Sequence, residues 1–160
     1  MSDDQVMRPF GQLVGKWKSE ATHPKMPGVV VHGTTVIEWL EGERFLIVRA
    51  STDHPDFPDS ISIIGNTSQD RVEGATGKIA GSADDDALHL HYYDERGVFR
   101  DYVTRWEGTS WLYSREVKGF SQRFTGKLTN DGATIVGLSQ LREDDVHWTD
   151  DLAITYQRER

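Results

Sequence analysis

The expected fold is all-β: a ten-stranded, up-and-down antiparallel barrel with a short N-terminal helix. Three observations lead there. From Gly15 onward the chain is a succession of short β-rich runs separated by turns containing Gly or Asp. All five prolines lie at or before Pro58, so none interrupts a ladder in the last hundred residues. Finally, so many strands joined by tight turns would leave two bare edges as an open meander, and closure removes both.

The elements follow in order. Asp3 or Asp4 caps a turn or two of helix reaching Leu13. Strands are expected near 15–22, 29–40, 44–52, 60–67, 87–94, 98–107, 110–117, 121–129, 133–142 and 146–157. Turns fall at Glu41-Gly42, Glu95-Arg96, Gly108-Thr109, Lys118-Gly119, Asp131-Gly132 and Asp144-Asp145. Asp-Gly suits a type I′ turn, and glycine elsewhere can take positive φ. Residues 53–59, with Pro55 and Pro58, form a loop, and the Gly-rich segment 68–85 is assigned to no element. The triplets Asp84-Asp85-Asp86 and Glu143-Asp144-Asp145 read as solvated turn tips, since neither has the alternating ligands and distal Glu of a calcium loop.

Length and charge narrow the classes. The 160 residues make one domain, 1–160, large enough for one core. With 18 basic and 26 acidic residues the net charge is -8, which disfavours binding to a phosphate backbone. The absence of cysteine removes disulfides, thiolate metal sites and cysteine nucleophiles. No segment approaches a membrane span, and the acidic start Met1-Ser2-Asp3-Asp4 lacks a signal-peptide layout, so a cytoplasmic location is expected. Enzyme signatures such as G-x-S-x-G, a Walker loop or a dinucleotide fingerprint are absent.

If each tight turn is a two-residue loop, residues paired across it share a face. One face then collects His89, His91, Tyr93, Arg100, Tyr102, Trp106, Trp111, Tyr113, Arg115, Gln122, Phe124, Ile135, Leu141, Trp148, Asp150, Leu152, Ile154 and Tyr156. The other is mainly short or charged, but keeps Leu88, Leu90, Phe99 and Val103. The aromatic face is assigned to the interior. Charged groups among rings are costly to bury unless they meet a partner or a ligand, and a mostly apolar pocket with a few convergent polar groups is the usual form of a small-molecule site. Candidate ligand-binding residues are therefore His89, His91, Tyr93, Arg100, Tyr102, Trp106, Trp111, Tyr113, Arg115, Gln122, Phe124, Trp148 and Asp150. Arg100 and Arg115, each one strand step from Tyr102, would grip a carboxylate or other anion, or else form an internal network with Asp150.

His89 and His91 form an H-x-H pair, but two ligands are too few for a metal, and a third would have to come from Asp150 or His32. No metal and no cofactor are expected, with haem on one of these histidines as the alternative. Acid–base chemistry built from His91, Asp150, Tyr102 or Tyr113 would make the lumen a cyclase, isomerase or hydrolase.

Leu13-Val14-Gly15-Lys16-Trp17-Lys18-Ser19-Glu20 resembles the G-x-W opening of calycins, the superfamily of lipocalins, fatty-acid-binding proteins and nitrobindins. Further pieces follow: Glu38-Trp39-Leu40, Arg44-Phe45-Leu46, the run from Tyr92 to Arg100, the run from Gly119 to Gly126, and Trp148 with Asp151 and Tyr156. In that order they resemble a family of uncharacterised bacterial calycin-like proteins. The resemblance implies a ten-stranded barrel with a hydrophobic cavity, a hydrophobic or amphipathic ligand, and no reaction. Nitrobindins bind haem through a late histidine; the only late one here is His147. The expected partner is thus a small ligand, without nucleic acid or a membrane span; a homodimer is the other association considered.

Overall fold

The computed structural model describes residues 3–66 and 88–160; the segment 68–85 and its Asp84-Asp85-Asp86 triplet lie outside them. A short helix α1 (Asp3–Met7) runs into a 3-10 turn (Arg8–Leu13). Ten strands follow: β1 (Gly15–Thr22), β2 (Val31–Trp39), β3 (Leu46–Thr52), β4 (Ser60–Gly65), β5 (Leu88–Asp94), β6 (Phe99–Glu107), β7 (Ser110–Arg115), β8 (Ser121–Thr129), β9 (Thr134–Arg142) and β10 (Thr149–Arg158). Each pairs antiparallel with its sequence neighbours, and β1 pairs with β10 to close the barrel. Among the described residues no helix is long and apolar enough to cross a membrane.

The helix end of the barrel is solidly packed. Phe10 and Leu13 are fully buried against Trp17, Leu46 and Ile64. Fully burying side chains of this size contributes about 1.5–3 kcal/mol each. The Trp17 ring N–H donates to the Leu13 carbonyl at 2.9 Å, tying the plug to β1. Arg158, from the last strand, lays its guanidinium 4.1 Å from the Trp17 ring centre. It also donates to the carbonyls of Val14, Gln12 and Gly132. This explains the Gly15-x-Trp17 spacing. Gly15 has φ +146°, and a Cβ there would stand 2.6 Å from the Arg158 guanidinium.

Three hairpins have the expected register. Trp106 pairs with Trp111 and Thr104 with Tyr113; Tyr113 pairs with Phe124 and Arg115 with Gln122; Phe124 pairs with Ser139 and Leu128 with Ile135. Two others do not. Between β5 and β6 the loop is one residue longer than Glu95-Arg96. Asp94 accepts the N–H groups of Arg96 and Val98 on its side chain, Gly97 takes φ +82°, and Tyr93 pairs with Phe99. A three-residue loop closed by a left-handed glycine is a standard hairpin connection. That single residue turns β5 over: Leu88 and Leu90 enter the core, and His89, His91 and Tyr93 stand on the outer wall.

The β9–β10 connection is also longer, spanning 143–148. Asp144 accepts the backbone N–H groups of Val146 and His147, and Asp145 sits at φ 62°. Thr149 pairs with Leu141 and Asp150 with Gln140, so Asp150 is outside, hydrogen-bonded to Gln140 at 2.9 Å. The register then shifts between Asp150 and Ala153, a bulge that turns the strand over again. Ile154 and Tyr156 consequently pack against the core as expected.

Candidate ligand-binding lumen

Away from the helix plug the interior changes character. Inward-facing Tyr92, Tyr113, Leu141, Ile154 and Tyr156 are only half-buried, unlike the sealed residues at the other end. The floor of this half is aromatic. Tyr113 stacks on Phe124 with centroids 4.8 Å apart, and Trp111 and Tyr102 meet them edge-on or tilted. Two inward glycines make room for that stack: a Cβ on Gly126 or Gly137 would come within 2.8 Å of the Phe124 ring. Trp106 lies lower, edge-on to Phe10 at the plug.

Above the floor sits a polar tier. Tyr102 donates to the Gln122 side-chain oxygen at 3.3 Å, and Arg115 donates to the same oxygen at 3.1 Å. Arg100, one strand step from Tyr102, lies 5.8 Å from the ring centres of both Tyr92 and Phe120. Both arginines are half-buried, and among the described residues neither has a carboxylate within ion-pair distance. The nearby acids are committed elsewhere: Asp94 pairs with Arg96 at 2.6 Å, and Asp151 with His23 at 2.8 Å.

The phenols of this half are held neutral. Burial pushes Tyr156 up to about 12 and Tyr113 well above its ordinary range. Tyr102 is also raised by burial, against the opposing pull of Arg100. Tyr92 is raised by burial and by its hydrogen bond to Asp94, whose own carboxyl is held well below the usual range by Arg96. At neutral pH these hydroxyls act as hydrogen-bonding groups and not as bases.

Of the sequence candidates, Arg100, Tyr102, Trp106, Trp111, Tyr113, Arg115, Gln122 and Phe124 face the interior. His89, His91, Tyr93, Trp148 and Asp150 do not. The first three are outside because of the extra β5–β6 loop residue. Asp150 is outside because of the longer β9–β10 loop, and Trp148 lies on the outer wall between the guanidinium groups of Arg123 at 4.1 Å and Arg142 at 4.7 Å. Tyr92, Asp151 and His23 are not among the sequence candidates for the site, although Tyr92 and Asp151 belong to the pieces that carry the resemblance. Asp94 with Gly97 three residues on was the available signal for Tyr92, because that pair favours a turn one residue longer. His23 and Asp151 are 128 residues apart, and nothing in the sequence joins them.

His91 and Asp150, the sequence candidates for acid–base chemistry in the lumen, stand on the outer wall, as does His89, the other histidine considered for haem. Among the described residues no histidine stands at an inward position within a strand. His89, His91 and His32 point outward, His147 is exposed beside Asp144, and His54 lies in a loop against Phe57. His23, just beyond β1, has both ring nitrogens engaged, one with Asp151 and one with the Lys25 N–H.

No protein-family model matches the chain, and no curated protein matches it. Solved structures do. Rv2717c from M. tuberculosis aligns over 96% of this chain and 97% of its own, with a TM-score of 0.65 and 15% identity. The S-type phycobiliprotein lyase CPES from Guillardia theta aligns over 97% and 93%, with a TM-score of 0.53 and 9% identity. At such identities the likeness is one of fold alone: a shared barrel architecture.

Proposed function

We propose that this chain is a calycin-like small-molecule-binding barrel for a hydrophobic or aromatic ligand with an anionic or strongly polar end. The observation that carries the reading is the pair Arg100 and Arg115. They are half-buried, carry no carboxylate partner among the described residues, and lie above an aromatic floor. Buried or half-buried guanidinium groups without a counter-charge are costly, and an incoming anion removes that cost. Tyr102 and Gln122 would orient the same group by hydrogen bonds, and Trp111, Tyr113 and Phe124 would hold the apolar part. That a phycobiliprotein lyase is built on this architecture is in keeping with the reading.

The test compares two dyes. Anilinonaphthalene sulfonate has an aromatic body and an anionic group; phenylnaphthylamine has a similar body without the charge. A hydrogen bond to a charged group contributes about 1.5–3 kcal/mol, so Arg115→Ala should weaken the sulfonate by roughly ten- to a hundredfold. The neutral dye should change by less than about threefold. Equal losses for both dyes, with an unchanged circular dichroism spectrum, overturn the arginine role. Phe124→Ala should weaken both.

A further inference from the structure

The outer wall carries a second cluster of donor groups. The extra loop residue that turns β5 over puts His89 and His91 side by side on the outside, with ring centres 5.9 Å apart. Asp101 on β6 lies directly across from His91. One of its carboxylate oxygens is 2.8 Å from His89 Nδ1 and 3.4 Å from His91 Nε2. One donor atom from each of the three residues lies within 4.8 Å of the others. We propose that His89, His91 and Asp101 form a binding site for a divalent transition metal of the zinc class.

The chemistry follows from the donor set. Two imidazoles and one carboxylate are borderline ligands that suit Zn²⁺ and its neighbours and serve poorly for Mg²⁺ or Ca²⁺. Tetrahedral zinc takes ligands at about 2.0–2.1 Å, which sets them about 3.3 Å apart. The two imidazole–carboxylate separations, 2.8 and 3.4 Å, bracket that figure, and the two imidazole donors lie within 4.8 Å of each other, so rotation of the rings brings the set to the ion. Alternate residues on one strand and a residue on its neighbour make a rigid frame, with little to order on binding. The site is also reachable: the histidine side chains are about one-quarter exposed and Asp101 is 49% exposed. Three protein ligands leave a fourth position for water or an outside donor. Asp101 also borders a groove of about 590 Å³ whose lining includes Arg100, Val103, Ser114 and Arg115.

The experiment uses the untagged full chain and Zn²⁺ alone, titrated against a chromophoric chelator. Wild type should take up one equivalent with a dissociation constant in the micromolar range. His89→Gln, His91→Gln and Asp101→Asn should each weaken it by about tenfold or more. His32→Gln on β2 and His147→Gln in the β9–β10 connection should not change it. A readout that needs no variant is the histidine ring nitrogen spectrum, where Zn²⁺ should shift His89 and His91 and leave the other four in place. Co²⁺ should give the strong visible absorption of a tetrahedral centre. Binding weaker than about 100 µM, ring shifts at other histidines, or affinity indifferent to all three ligand variants would each overturn the site.

Discussion

Arg158 offers the sharpest test of how the barrel is sealed. Its guanidinium lies over Trp17 at 4.1 Å and donates to carbonyls of the 3-10 turn, of the residue leading into β1, and of the β8–β9 turn. One side chain therefore joins the plug, the entry to β1 and the β8–β9 turn. Arg158→Met keeps the length and removes every donor. A hydrogen bond to a charged donor contributes about 1.5–3 kcal/mol, and a ring contact of this kind about 0.5–2 kcal/mol. These do not add, and the bond to Gln12 is exposed, so the expected loss is about 3 kcal/mol in total. For a chain of this size that corresponds to a fall in Tm of roughly 6–12 °C. At a urea slope of about 2 kcal/mol per molar it is a midpoint shift of roughly 1.5 M. Arg158→Lys, which keeps the charge without the planar fork, should recover less than half of the loss. A comparison substitution, Arg105→Ala, breaks only an exposed pair with Glu107 and should cost less than about 0.5 kcal/mol. If Arg158→Met costs under about 1 kcal/mol, or lysine restores full stability, the seal does not depend on this geometry.

Other outcomes follow from the same packing. Gly137→Ala sets a Cβ 2.8 Å from the Phe124 ring and 2.9 Å from Ile154, so it should cost about 1–3 kcal/mol, and Phe124→Leu in the same chain should return part of it. A double-mutant cycle in chemical denaturation measures that coupling. Trp148→Ala should leave binding of both dyes within about twofold while lowering stability by about 1 kcal/mol, because its ring lies between two outer arginines. Tyr156 is raised in the folded chain to about 12 from an ordinary 10.0, so the unfolded chain releases its proton first as pH rises. Its contribution is complete below pH 10 and is lost as pH climbs toward 12, which pH-dependent unfolding followed with phenolate absorbance will register. Asp144 runs the other way. Held below its ordinary 3.8 by the His147 backbone N–H, it supports the fold above that pH and less as pH falls below it. The stability gap between wild type and Asp144→Asn should therefore narrow in acid.

Strand content, strand order and all-β class were legible because they rest on local information. Alternating apolar residues, turn glycines and the proline-free last hundred residues each act within a few positions. The three hairpins around β7, β8 and β9 were legible for the same reason, and they carry Tyr102, Tyr113, Arg115, Gln122 and Phe124 to one face. The faces of β5 and the start of β10 were not, because side-chain direction in a strand has period two and one residue of loop reverses it. In β5 that reversal moves His89 and His91 from a supposed lumen lining to an outer wall beside Asp101. In β10 a longer loop and a bulge largely cancel: Trp148 and Asp150 move outward while Ile154 and Tyr156 keep their place.

The amino-acid order alone thus specified a closed antiparallel barrel and the aromatic composition of its interior, since both follow from short-range pattern and from the need to leave no bare edge. Which polar groups meet was settled by closure. Pairing β1 with β10 lets Arg158 reach Trp17 and brings the distant His23 and Asp151 together. Those contacts join opposite ends of the chain, so no local pattern encodes them. They exist because ten twisted strands return to their own beginning.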